Sequence, residues 1–221
     1  MKPLIVAAAL AVAAPASAAT ELLVNGSFEM DPGVAGSRGG SFAAMPTTGR
    51  SWDTWDSLPG WNGGGTGIDV YTDRTFDRID TQDGEYYVEL DTSNNSSMTQ
   101  DVALTRGGYR LSFYFSPRTR NPATNGIEAL VEALGSQLAS VQLVGSNAPG
   151  AAGDWTRITL DFYLAQAANV TIGFYAQGRG DGIGGLIDNA SLTQIPLPAT
   201  GAMAMLALGG LAATRRRKKG A

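Results

Sequence analysis

The sequence predicts an all-β sandwich, and three observations carry that prediction. About ten short segments alternate apolar and polar residues or are rich in β-branched and aromatic types. Clusters of Gly, Asn and Asp separate them at close intervals. The length between the two unusual chain ends suits one sandwich-sized domain, without internal repeats.

In order, Leu22 to Phe28 is short and apolar and closes around Asn25-Gly26. Met30 to Arg50 is rich in Gly, Ser and Pro and reads as a long loop. Gly67 to Tyr71 alternates as a half-buried strand does. Tyr86 to Leu90 starts just after the turn signal Asp83-Gly84. Ser97 to Leu104 alternates again, and Tyr109 to Phe115 places Tyr109, Leu111, Phe113 and Phe115 on one face. Ile127 to Val131, Gln137 to Val144, Thr156 to Tyr163, Val170 to Ala176 and Gly185 to Thr193 complete the set. Glu128 to Leu134 has helical propensity, but its β-rich surroundings favour a hairpin there.

Both ends look like export machinery rather than fold. Met1-Lys2, the apolar run Leu4 to Ala14 and Ala16-Ser17-Ala18 have the three parts of a signal peptide, over residues 1–19. That leaves 20–194 for the sandwich and 195–221 for a tail. The tail runs Ile195, Pro196, Leu197, Pro198, Ala199, then an apolar stretch to Thr214, then Arg215, Arg216, Arg217, Lys218 and Lys219. A helix from Leu197 to Thr214 would rise roughly 27 Å, barely the hydrocarbon thickness, and a basic cluster behind it is held on the cytoplasmic side. An ordinary tail anchor and a transient, processed segment both fit this pattern.

Composition narrows the chemistry. Between Thr20 and Pro198 the chain carries ten arginines, no lysine and all twenty acidic residues, a net charge of −10. Such a surface repels phosphate backbones, which argues against nucleic acid as a partner. Cysteine and histidine are both absent. There is then no disulfide framework, no catalysis by a Ser–His or Cys–His pair, and no zinc site of the usual ligands. A metal here would be hard and oxygen-ligated, which points to calcium.

Several strings, in their order and spacing, carry a resemblance. They are Leu23-Val24-Asn25-Gly26-Ser27-Phe28-Glu29, Leu58-Pro59-Gly60-Trp61, Gly84-Glu85-Tyr86-Tyr87-Val88-Glu89-Leu90-Asp91, Gly108-Tyr109-Arg110-Leu111-Ser112-Phe113, Ser116-Pro117-Arg118 and Leu186-Ile187-Asp188-Asn189-Ala190-Ser191-Leu192. Together they resemble the galactose-binding-like jelly rolls of carbohydrate-binding modules, and the domains that precede PEP-CTERM tails. The tail itself resembles the PEP-CTERM class in its Val-Pro-Leu-Pro-Ala variant, with Ile195 in place of Val. The resemblance implies export through the inner membrane, a membrane-anchored precursor and cutting by an exosortase-type transpeptidase. Delivery to the cell surface or an exopolysaccharide matrix would follow.

In such jelly rolls the first and last strands lie side by side, which brings Glu29 near Asp188. Two carboxylates so placed repel unless a proton or cation lies between them. The resemblance implies a structural calcium; capping of turns through backbone amides is the alternative. Trp52 and Trp55, in a loop with Asp53 and Asp56, are candidates for stacking on sugar rings. Trp61 is a third, with core packing as its alternative, and core packing is the default for Trp155. Asp77 to Glu85 reads as a solvated turn and Gly178 to Gly185 as a flexible loop. The leading function is a non-catalytic surface or matrix protein. The alternatives are a glycan-active enzyme working through paired carboxylates and a purely structural matrix component.

Overall fold

In a computed structural model the chain is described over residues 19–48, 51–75 and 79–195. Twelve strands are described: β1 Trp52–Trp55, β2 Ser57–Leu58, β3 Trp61–Gly64, β4 Ile68–Thr72, β5 Tyr86–Glu89, β6 Ser97–Leu104, β7 Gly107–Pro117, β8 Gly126–Ala133, β9 Ser136–Leu143, β10 Thr156–Leu164, β11 Ala168–Gln177 and β12 Gly185–Ile195. They form two antiparallel six-stranded sheets, ordered β1-β4-β5-β12-β7-β10 and β2-β3-β6-β11-β8-β9. The result is a jelly-roll β-sandwich.

The predicted alternation accounts for the layers. Phe113, Phe115, Leu111 and Tyr109 of β7 face Met98 of β6 and Ile172 and Phe174 of β11 in one buried core. Phe113 meets Phe174 edge-on at 4.9 Å. The Glu128 to Leu134 segment is extended: β8 and β9 form a hairpin whose turn residues Leu134 and Gly135 both have positive φ (54° and 72°). Positive φ at both positions matches the right-handed twist of the flanking strands.

Three expectations change. Leu22 to Phe28 is not a strand; the chain touches β12 through a bridge from Glu21 to Thr193, a bond from Leu22 N to Leu192 O and one from Ala190 N to Gly26 O. It then leaves the sheet because Asn25 and Phe28 take left-handed φ of 54° and 64°. Asn tolerates that region, and the turn drives Phe28 into the core. Trp52 and Trp55 lie not in a loop but at the two ends of β1, and β2 and β3 follow it; all three strands are too short to show a period. The loop from Met30 to Arg50 contains a 3-10 turn, Phe42–Ala44, and a four-residue helix α1, Met45–Thr48; Phe42 and Met45 plug one margin of the core. Among the described residues no helix is long and apolar enough to cross a membrane.

Candidate functional site

The outer face of the first sheet is unusual for a sandwich, since β4 and β5 are buried on both sides. Alternation sends Ile68, Val70, Tyr86 and Val88 inward; Asp69, Tyr71, Tyr87 and Glu89 point outward, yet all four are buried. Ile79, on the connection from β4 to β5, covers the two rings, packing with Tyr71, Tyr87 and Leu186 as a second small cluster flanked by Trp52 and Trp155, whereas Arg118 and Gly184 close over Glu89. The rings form a row: Trp52 stacks on Tyr71 at 5.5 Å, Tyr71 on Tyr87 at 5.5 Å, and Trp155 meets Tyr87 edge-on at 5.8 Å.

Beside the rings runs a polar row set by cross-strand register, Thr54 opposite Asp69 and Asp69 opposite Glu89. Asp69 accepts from the Thr54 hydroxyl at 2.5 Å and the Tyr71 hydroxyl at 3.2 Å. Glu89 accepts from Arg118 Nη1 at 2.8 and 3.1 Å and from the Gly184 amide. Burial pushes the Asp69 carboxyl up to about 6, against the lowering pull of those two hydroxyls. Burial likewise raises Glu89 to about 7, opposed by the Arg118 charge. The Tyr71 phenol is pushed up by burial and then by the neighbouring charges of Glu89 and Asp69. Buried carboxylates of this kind demand paired donors, and the strands supply them.

Glu29 and Asp188 do converge, on one strip of backbone. Glu29 Oε1 accepts the amides of Glu85 and Tyr86 at 2.9 and 3.0 Å. Asp188 Oδ2 accepts those of Gln82 and Asp83 at 2.9 and 3.0 Å, and its Oδ1 that of Asn189. Burial raises both carboxyls, Asp188 to about 7, and each pair of amides works in the opposite direction. The residues thus supply the negative charge a calcium ion needs, but the groups facing Glu29 Oε1 and Asp188 Oδ2 are N–H donors, which a cation does not share. Among the described residues no set of three or more acidic side chains is arranged around a common metal position.

The tryptophans separate by strand parity. Trp55 and Trp61 point inward and are buried in the core, so neither presents a face to a sugar; Trp61 Nε1 donates to Asn25 O at 2.9 Å. Trp52 points outward, but Tyr71 covers one of its faces and the Arg38 guanidinium stands 3.6 Å from its ring centroid. Arg38 is placed there by Asp53, which is buried and accepts the amides of Arg38 and Gly40 at 2.8 Å. The aromatic that lines open space is Trp155, assigned to the core by default. It borders a cleft of about 650 Å³ formed with Ile79, Asp80, Arg118, Thr119, Arg120, Ala152, Gly153 and Asp154. Its Nε1 donates to Asp80 O at 2.8 Å, which fixes the ring at the wall.

Arg118 joins the two systems, one wall of the cleft and the buried Glu89. The motif Ser116-Pro117-Arg118 gave a sequence signal for it, but its role did not show there. Pro196, Leu197, Pro198, Ala199, Arg215, Arg216, Arg217, Lys218 and Lys219 lie outside the described residues, as does the signal-peptide run 1–18.

Comparison with solved structures places the fold among known jelly rolls. A family 61 carbohydrate-binding module in complex with β-1,4-galactotriose superposes with a TM-score of 0.51 at 20% identity, covering 80% of this chain and 99% of the module. A cyclase from Fischerella sp. TAU superposes with a TM-score of 0.57 at 15% identity, covering 82% of this chain and all of the cyclase. At these identities the likeness concerns the fold. No protein-family model and no curated protein sequence matches the chain.

Proposed function

We propose that this chain is a non-catalytic glycan-binding sandwich, exported to the cell surface or extracellular matrix, with the cleft beside Trp155 as its ligand site. The observation that carries the proposal is the company Trp155 keeps: one indole wall with Arg118, Arg120, Asp80 and Asp154 around a cleft of about 650 Å³. Small-ligand sites run from about 300 to 1,000 Å³ and combine apolar walls with a few placed polar groups. Sugar rings offer an apolar C–H face to an indole and hydroxyls to guanidinium and carboxylate groups. Asp69 and Glu89, the buried acid pair, are held by Thr54, Tyr71 and Arg118, a supporting role rather than an acid–base pair across a substrate.

For delivery, the order of Pro196 to Ala199, apolar stretch and basic cluster supports processing by an exosortase-type enzyme from a membrane-held precursor. Calcium at Glu29 and Asp188 belongs to this reading as a separate proposal, supported by the like-charged surroundings of both groups.

The test is affinity electrophoresis of the full chain through gels containing β-1,4-galactan, xylan and extracellular polysaccharide. Retardation by at least one polysaccharide is expected. Trp155→Ala and Arg120→Ala should each weaken it by about tenfold, the loss of roughly 1.4 kcal/mol of contact. Arg120 is exposed, so its replacement leaves the fold intact and isolates the cleft. Retardation unchanged in both variants overturns the cleft assignment, and turnover of a polysaccharide replaces the binding reading with the enzymatic one.

A further inference from the structure

One edge of the first sheet, which adjoins β9 of the second sheet, has an open ladder of backbone groups along its last strand. Strand β10 lies at that edge and pairs with β7 over nine consecutive residues with no register shift. Natural edge strands are blunted by shortness, by proline, by bulges or by lysine. β10 is nine residues long, Thr-Arg-Ile-Thr-Leu-Asp-Phe-Tyr-Leu, with no proline, bulge or lysine, and its exposed charges are one of each sign, Arg157 and Asp161, which repel a foreign strand but can complement a second copy of the same one. The other edges differ. β1 and β2 are four and two residues long, and β9 meets β8 with a register shift at Val131/Glu132.

The outward side of β10 shows what fits it. Arg157, Thr159 and Asp161 are exposed and alternate with Ile158 and Leu160, which pack partly on the core. The three are symmetric in position and opposite in charge about Thr159. We infer that β10 pairs antiparallel with β10 of a second copy, centred on Thr159, joining two sheets into one. A two-fold axis at Thr159 sets Arg157 of each copy across from Asp161 of the other, and Thr159 across from itself. Directly opposite charges on one sheet face attract, and an isologous contact closes at two copies. Asp161 keeps its bidentate pair with Arg110 (2.7 Å to each oxygen), since a carboxylate offers about four acceptor positions. A shift by two residues along the edge would lose both charge pairs, so the charges set the register.

The absence of cysteine makes the inference directly testable on the full chain in mild detergent. Opposite Cα atoms in an antiparallel pair are about 4.5–5.5 Å apart, within the span a disulfide bridges. Thr159→Cys should therefore form a disulfide-linked dimer under mild oxidation, while Asn169→Cys, exposed on β11 of the other sheet, should remain monomeric. Charge reversal supplies the second arm, read as mass by light scattering. Arg157→Asp and Asp161→Arg should each run as monomer alone, where like charges face each other, and as dimer when mixed, where each mutated position meets its complement. Monomeric wild-type protein, or Thr159→Cys that crosslinks no more than Asn169→Cys, overturns the inference. So does failure of the mixed variants to dimerise when each is folded by circular dichroism. Pairing of β10 with a strand from an unrelated protein would appear as that same lack of Thr159 self-crosslinking.

Discussion

Tyr71 holds its hydroxyl against two buried carboxylates, Asp69 and Glu89, and that position sets how the domain responds to acid. An unfolded Asp or Glu titrates near about 4. In the folded chain burial raises Asp69 to about 6 and Glu89 and Asp188 to about 7. Between those values the native state binds more protons than the unfolded chain, so stability falls as pH rises through the window and is level above it. The melting temperature should therefore rise when pH is lowered from about 8 to about 5, the reverse of ordinary acid denaturation. Asp69→Asn keeps an acceptor for the Thr54 hydroxyl and removes one titrating group. It should flatten the pH dependence by on the order of 2–3 kcal/mol, about 1.4 kcal/mol per unit of raised pKa. Melting curves of both proteins across that range check it; parallel profiles would assign the dependence elsewhere.

At the scale of elements, the connection from β4 to β5 acts as a cover whose hold depends on acceptors far away in sequence. Asp188→Ala should leave the amides of Gln82 and Asp83 without partners, at a cost of about 1–3 kcal/mol, and speed their hydrogen exchange more than that of β5. The calcium proposal is tested on the same element. An ion at a hundredfold excess over its Kd adds about 2.7 kcal/mol, a rise of roughly 5–10 °C at about 2–4 °C per kcal/mol. Calcium should give that rise and magnesium much less, and Asp188→Ala should abolish it; equal responses to both ions remove the site. The same element explains what sequence could and could not convey. β6, β10 and β11 were legible because one face is core and the other is not, which writes a period of two into the chain. Asp77 to Glu85 reads as solvated because its partners, Glu29 and Asp188, lie more than fifty residues away in either direction. The convergence of those two acids was implied by likeness of chain ends, not by local pattern. For the tryptophans the type was visible but the parity was not, since β1 and β3 are four residues each and one residue of slip exchanges core for surface.

On the scale of the whole molecule, the described sandwich ends with β12 at Ile195, immediately before the Pro-Leu-Pro-Ala motif. Processing at that boundary would leave the last strand complete. Intact-mass measurement of the surface-extracted protein should give a start near Ala19 to Glu21 and an end between Pro196 and Ala199; Arg215 to Lys219 on the mature protein would refute the processing route. The bridge from Glu21 to Thr193 puts the start of the domain beside its end, whereas Arg118 and the cleft adjoin the opposite end of β12, where Gly185 pairs with Pro117. Ten residues of β7 separate the two ends, about 30 Å at roughly 3.3 Å per residue. If the chain is tethered beyond Ile195, as proposed, the tether would hold it by the foot and turn the cleft outward. A load between tether and captured polymer would run along β12, a central strand clamped by β5 and β7, in shear, so that its ladder bonds share the force instead of opening one at a time.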